Sequence, residues 1–76
     1  MAYQELEVVV LTEDAPQFGL RKGDCATIVC VHPGAKAYEL EFVASNGHTV
    51  ALEAFTAEQF RPLGPGEGTL KRAVVA

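Results

Sequence analysis

The sequence has no tryptophan, one methionine, two cysteines and only six cations in 76 residues. With two tyrosines and four phenylalanines, it lacks the aromatic-lined groove used to hold proline-rich peptides. No apolar run approaches the ~20 residues that span a bilayer. The start, "MAYQELE", has neither a basic opening nor an apolar signal core, so a cytoplasmic location is expected. Cations are scarce where they would matter most. Residues 1–63 carry Arg21, Lys22, Lys36 and Arg61 against nine carboxylates, a net of -5, while the rest carries Lys71 and Arg72 against Glu67, a net of +1. Binding to nucleic acid needs cations to replace phosphate counterions, so the acidic body is poorly suited to it.

What is present is a β-sheet pattern. A chain of this length holds one domain and buries only about 60% of the surface its unfolded form exposes. The hydrophobic fraction of 49% is that of a globular protein. The dominant period is two. "EVVVL" (Glu7–Leu11) is a β-branched run typical of a strand buried on both faces. "TEDAPQFGLRKGD" (Thr12–Asp24) is a long turn-rich loop. "CATIVCVH" (Cys25–His32) is a second strand and "PGAK" a turn. "AYELEFV" (Ala37–Val43) alternates, with Tyr38, Leu40 and Phe42 on one face and Glu39 and Glu41 on the other. Asn46-Gly47 is a strong hairpin signal of the type I′ kind, and "HTVALEA" (His48–Ala54) returns. "TAEQF" (Thr56–Phe60) fits one helical turn with a Thr-x-x-Gln cap. "RPL" (Arg61–Leu63) adds a short edge strand.

This order predicts a single all-β domain, a five-stranded SH3-like barrel with one 3-10 turn before the last strand. Closing the sheet on itself would remove exposed edges from a chain too small to cover them. The expected core is Val8, Val10, Leu20, Ile28, Val29, Val31, Tyr38, Leu40, Phe42, Val50, Leu52, Phe60 and Leu63. Residues 1–63 form the barrel, and 64–76, "GPGEGTLKRAVVA", read as a linker and tail. Its apolar end could pair into a homo-oligomer.

The stretch from residue 5 to 63 resembles a family of short, uncharacterised bacterial proteins with an SH3-like barrel. The resemblance is carried by "GLRKGDCATIV", "YELEF", "GHTVA" and the closing "RP". It departs at Ala26, where the family usually has glycine, which puts a close backbone approach there in doubt. The resemblance implies no catalytic residue or cofactor. It implies a small standalone protein, sometimes paired with a neighbouring protein. "GLRKGDCATIV" is also similar to the motif of KOW domains in translation factors, some of which bind RNA, and to the barrel of nitrile hydratase subunits. Such motifs specify a bent second strand more than a function.

Few residues suggest chemistry. On a regular strand Cys25 and Cys30 lie roughly 16 Å apart on opposite faces, and a disulfide needs Cα atoms within about 7 Å. They are expected to be small buried apolar residues. Cys30 and His32 share a strand face near His48, but the paired spacing of a zinc site is missing, so no metal is expected. Ser45 lies in a turn without an adjacent base and orienting group. Glu39 and Glu41 lie on an outward face, not in a cleft. No Gly-rich phosphate loop precedes a helix, and so short a chain has little room for a pocket of several hundred Å³. An enzyme is therefore not expected.

The expected function is a small protein-interaction module, with a role as the accessory or neutralising partner of a neighbouring protein. The candidate contact residues are Glu13, Asp14, Gln17, Phe18, Arg21 and Lys22 in the long loop, because loops on a rigid frame carry recognition. Phe18 is either a plug on the core or an exposed anchor. Tyr3 is placed to cover one end of the barrel. The excess of carboxylates favours a partner with a basic surface. The alternative is a KOW-like RNA-binding module using Arg21, Lys22, Arg61 and the basic tail.

Overall fold

The computed structural model describes residues 3–64. Five strands form one antiparallel sheet: β1 (Val8–Leu11), β2 (Cys25–Val31), β3 (Tyr38–Val43), β4 (Thr49–Phe55) and β5 (Phe60–Pro62). The spatial order is β4-β3-β2-β1-β5. Three 3-10 turns join them, at Pro16–Phe18, Pro33–Ala35 and Ala57–Gln59. The strands match the expected ones to within a residue or so at each end. The sheet is open, with β4 and β5 as its two edges. Among the described residues, no helix is long and apolar enough to cross a membrane. The expected linker and tail fall outside the described residues apart from Gly64.

One face of the sheet, called inner here, carries the core. Val9 and Leu11 of β1, Ala26 and Ile28 of β2, Tyr38, Leu40 and Phe42 of β3, Phe55 and Phe60 pack together with Ala15 and Leu20 from the long loop. Aromatic rings lock this layer. Tyr3 lies 5.6 Å from Tyr38 and 4.9 Å from Phe60, so it covers the core as expected. Phe42 meets Phe55 edge-on at 5.7 Å, a favoured geometry for ring quadrupoles. The buried Val9-Val10-Leu11 run confirms that β1 is covered on both faces. It lies between β2 and β5.

Three expected core residues are corrected. Val8 and Val29 are each 37% exposed and Leu52 is 51% exposed. Val31, Val50 and Leu63 are only partly buried. The core instead takes Val9, Leu11, Ala15, Ala26 and Phe55. The physical reason is parity. Val9 pairs with Ala26, which fixes the odd residues of β1 inward and turns Val8 out. Leu52 pairs with Glu41, so it shares the outer face.

A β-bulge accounts for the remaining differences in β2. Ile28 pairs with Leu40 but Cys30 pairs with Glu39, so Val29 is an extra residue on that strand. Such an insertion resets the alternation and sharpens the bend. Cys30 therefore faces outward with Glu39, on the same side as Cys25, and the expectation of opposite faces is corrected. Cys30 is also exposed and Cys25 half-buried, rather than both being buried. Ala26 lies inside β2 with its methyl group in the core, not at a turn.

The β3–β4 connection is a three-residue loop, Ser45–Gly47, instead of a two-residue type I′ turn. Only Gly47 has positive φ, at +89°. Gly47 N–H donates to the Ala44 carbonyl and Ala44 N–H to the His48 carbonyl, each at 2.9 Å. The Asn46 side chain accepts the His48 N–H at 3.0 Å. A type I′ turn would need positive φ at both central residues. Here Asn46 is used for its carbonyl instead. The Thr-x-x-Gln signal before β5 holds: Thr56 N–H donates to Gln59 Oε1 at 2.8 Å.

Candidate partner-binding loop

The loop between β1 and β2 is folded back on itself. Ala15 and Leu20 form a small antiparallel bridge, each N–H donating to the other's carbonyl. Both side chains are buried in the core. Between them Pro16–Phe18 makes a 3-10 turn closed by Gly19 at φ +73°, a conformation that glycine adopts without strain. The loop thus has two anchors in the core and a short polar tip outside it.

Its second half is a tight turn over "RKGD". Asp24 N–H donates to the Arg21 carbonyl at 3.0 Å, and Gly23 takes φ +95°. The Asp24 carboxylate closes the turn from the other side by accepting the Arg21 N–H at 2.9 Å. Asp24 is only 1% exposed. A buried carboxylate needs hydrogen-bond donors in place of lost water, and here the backbone supplies one. Asp14 ties the two halves together by accepting the Lys22 N–H at 2.8 Å.

The six candidate residues divide accordingly. Asp14 has a structural task in holding Lys22. Glu13 Oε2 accepts from Gln59 Nε2 at 3.3 Å and remains exposed. Phe18 is a plug: it is half-buried, packs against the core and meets Phe55 edge-on at 5.9 Å. Gln17, Arg21 and Lys22 display exposed side chains. Sequence reasoning missed Asp24. Its position directly after a glycine in a cationic turn was the available signal, since such a turn leaves an N–H for a carboxylate to accept.

The other candidates are dispersed. His32 Nε2 lies 3.1 Å from Glu39 Oε2. His48 is exposed beside the β3–β4 loop. Among the described residues, no group of three or more histidine, cysteine, aspartate or glutamate side chains is placed to hold a metal ion. A shallow depression of about 120 Å³ lies on the outer face, lined by Val8, Cys25, Ala26, Thr27, Glu41 and Val43. Drug-sized ligands occupy pockets of about 300–1,000 Å³, so it is small for a substrate.

Residues 5–62 match the model of a family described as a domain of unknown function (DUF4926). No curated protein matches the chain, and no solved structure does.

Proposed function

The chain belongs to the DUF4926 family, and from that premise we propose that it is a non-catalytic protein-interaction module whose contact surface is the Thr12–Asp24 loop. The observation that carries this reading is the construction of the loop. Ala15 and Leu20 fix it in the core on either side of the Pro16–Phe18 turn, and the Asp14 and Asp24 carboxylates hold the Arg21-Lys22 turn that follows. Gln17, Arg21, Lys22 and Glu13 are thereby presented at little further entropic cost on binding, which is what preorganisation supplies. We read the sheet as an SH3-like barrel that is incompletely closed. The strand order and the 3-10 turn leading into β5 support that reading.

The partner is a protein with a basic surface, drawn by the acidic body. A role as the accessory or neutralising partner of a neighbouring protein, in the cytoplasm and without a cofactor, fits this chemistry. The test is a tagged pull-down with and without nuclease, comparing the natural chain with a Glu13→Lys/Gln17→Lys variant. One stoichiometric protein that survives nuclease and is lost with the variant supports the proposal. Recovery that disappears with nuclease would favour the KOW-like RNA-binding reading through Arg21, Lys22 and Arg61. Equal capture by both chains would remove the loop from the interface.

A further inference from the structure

The two edges of the sheet are built differently. β5 is three residues long and ends on Pro62, the short, proline-bearing form that discourages a further strand. β4 runs over seven residues with neither proline nor lysine. Among the described residues, nothing pairs with its far side. The ladder fixes which backbone groups lie there. Successive residues of an antiparallel strand direct their N–H and C=O groups to opposite sides. Ala44 N–H donates to the His48 carbonyl, so Phe42 and Leu40, of the same parity, also bond towards β4. Their partners are Ala51 and Glu53. Leu52 and Ala54 therefore turn their N–H and C=O groups to the open edge, and both residues are exposed.

The side chains along the edge select what fits against it. Glu53 stands opposite the fully buried Leu40, so it projects on the core side of the sheet. It is half-buried. Among the described residues, the one ion pair joins His32 to Glu39, so no cation answers Glu53. An inward charge on an edge strand guards against self-association. In an antiparallel pair of β4 strands centred on this stretch, two Glu53 side chains would fall opposite or diagonal on one face. Like charges so placed destabilise the pairing, and the two chains would each bring a net charge of -4. The same carboxylate favours a strand that carries a cation. On the other face, Leu52 is 51% exposed beside Ala54 and offers an apolar contact.

We propose that the open edge of β4 receives an extended basic segment of a partner protein as an added strand. The segment's backbone bonds to Leu52 and Ala54, and its lysine or arginine lies opposite Glu53. The residues on either side of that cation are apolar and meet Leu52 and Ala54 on the outer face. Strand addition of this kind takes its affinity from main-chain hydrogen bonds and its specificity from alternate side chains. The edge is distinct from the Thr12–Asp24 loop, so the inference does not depend on the loop's function.

The probe is a blocked peptide of alternating lysine and valine, added to the full chain. One control peptide has glutamate in place of lysine. The other keeps the lysines but carries N-methyl groups on its backbone nitrogens, so it keeps the charge and cannot pair. Site-resolved amide hydrogen exchange reads Leu52 and Ala54. The proposal requires the lysine peptide to slow both amides several-fold and both controls to leave them unchanged. It also requires Glu53→Lys to weaken that protection several-fold, and Ala54→Pro to abolish it at Leu52. Proline is tolerated on an edge strand where its missing N–H faces solvent, and a dispersed amide spectrum shows that this variant is folded. Should it unfold, Glu53→Lys decides alone. Unchanged exchange at Leu52 and Ala54 overturns the proposal. Equal protection by the N-methylated peptide also overturns it, leaving only attraction between charges. Protection of the same amides without peptide, at doubled mass, overturns it in favour of a second copy.

Discussion

Asp24 is the residue on which the loop depends most. Its carboxylate is buried and accepts the Arg21 N–H. Removing one partner of a buried hydrogen bond leaves the other unsatisfied, at a cost of about 1–3 kcal/mol. Asp24→Ala is expected to lower the unfolding free energy by that amount, read as a lower urea midpoint with an unchanged slope. Asp24→Asn keeps an oxygen acceptor and is expected to lose less. Leu6 presents the opposite case. It is 79% exposed and sits at φ +73°, in a turn where Glu7 N–H donates to the Gln4 carbonyl at 3.3 Å. The left-handed region costs an ordinary L-residue about 1–2 kcal/mol, and asparagine tolerates it better. Leu6→Asn is therefore expected to raise stability by roughly 0.5–1 kcal/mol, measured by the same urea titration.

At the scale of the elements, each tight connection has its own chemistry. Gly47 carries the left-handed position of the β3–β4 loop, and a Cβ built there meets nothing within 4 Å. The cost of Gly47→Ala is then conformational alone, about 1–2 kcal/mol. Thermal unfolding of Gly47→Ala and Gly47→Asn checks this: the asparagine variant is expected to lose less. The strands themselves were legible because alternation and turn residues are local signals. Tyr38, Leu40 and Phe42 needed only their spacing to be placed inward. The Thr56–Gln59 cap was legible for the same reason. The bulge at Val29 was not. Nothing in "CATIVCVH" marks which residue is extra, because the insertion is decided by how β2 meets Leu40 and Glu39 on β3. The faces of Cys25 and Cys30 were misjudged through that one residue. Val8 was misplaced because in a β-branched run the inward set depends on the partner's register, which is a tertiary fact. Leu52 was misplaced because Phe42 pairs with Ala51 and Val43 with Thr49, so Val50 is extra on β4 and shifts the alternation by one. In the loop, polarity marked the exposed tip. The structural use of Asp14 depended on contacts made across eight residues.

At the scale of the whole molecule, the two faces of the sheet have unequal roles, and two substitutions separate them. Phe42 is fully buried against Phe55, and truncating such a ring costs about 3–5 kcal/mol. Small domains have little stability beyond that, so Phe42→Ala is expected to unfold the chain, seen as lost dispersion of the amide NMR spectrum. Leu52 is half-exposed on the outer face. Leu52→Ser is expected to stay within about 0.5–1 kcal/mol of the natural chain and to keep a dispersed spectrum.

The three-residue strand β5 has a consequence for assembly in time. β2, β3 and β4 are neighbours in sequence and close through short loops. β5 reaches back to β1 across most of the chain, with Val10 opposite Arg61. Closure of a long loop has to precede the contacts that reward it. The meander of three strands can thus form first, with β1 and the long loop settling on it and β5 acting as the final latch. When the molecule breathes, the latch is the piece that releases first, and its release bares the backbone edge of β1 at Val9, Val10 and Leu11.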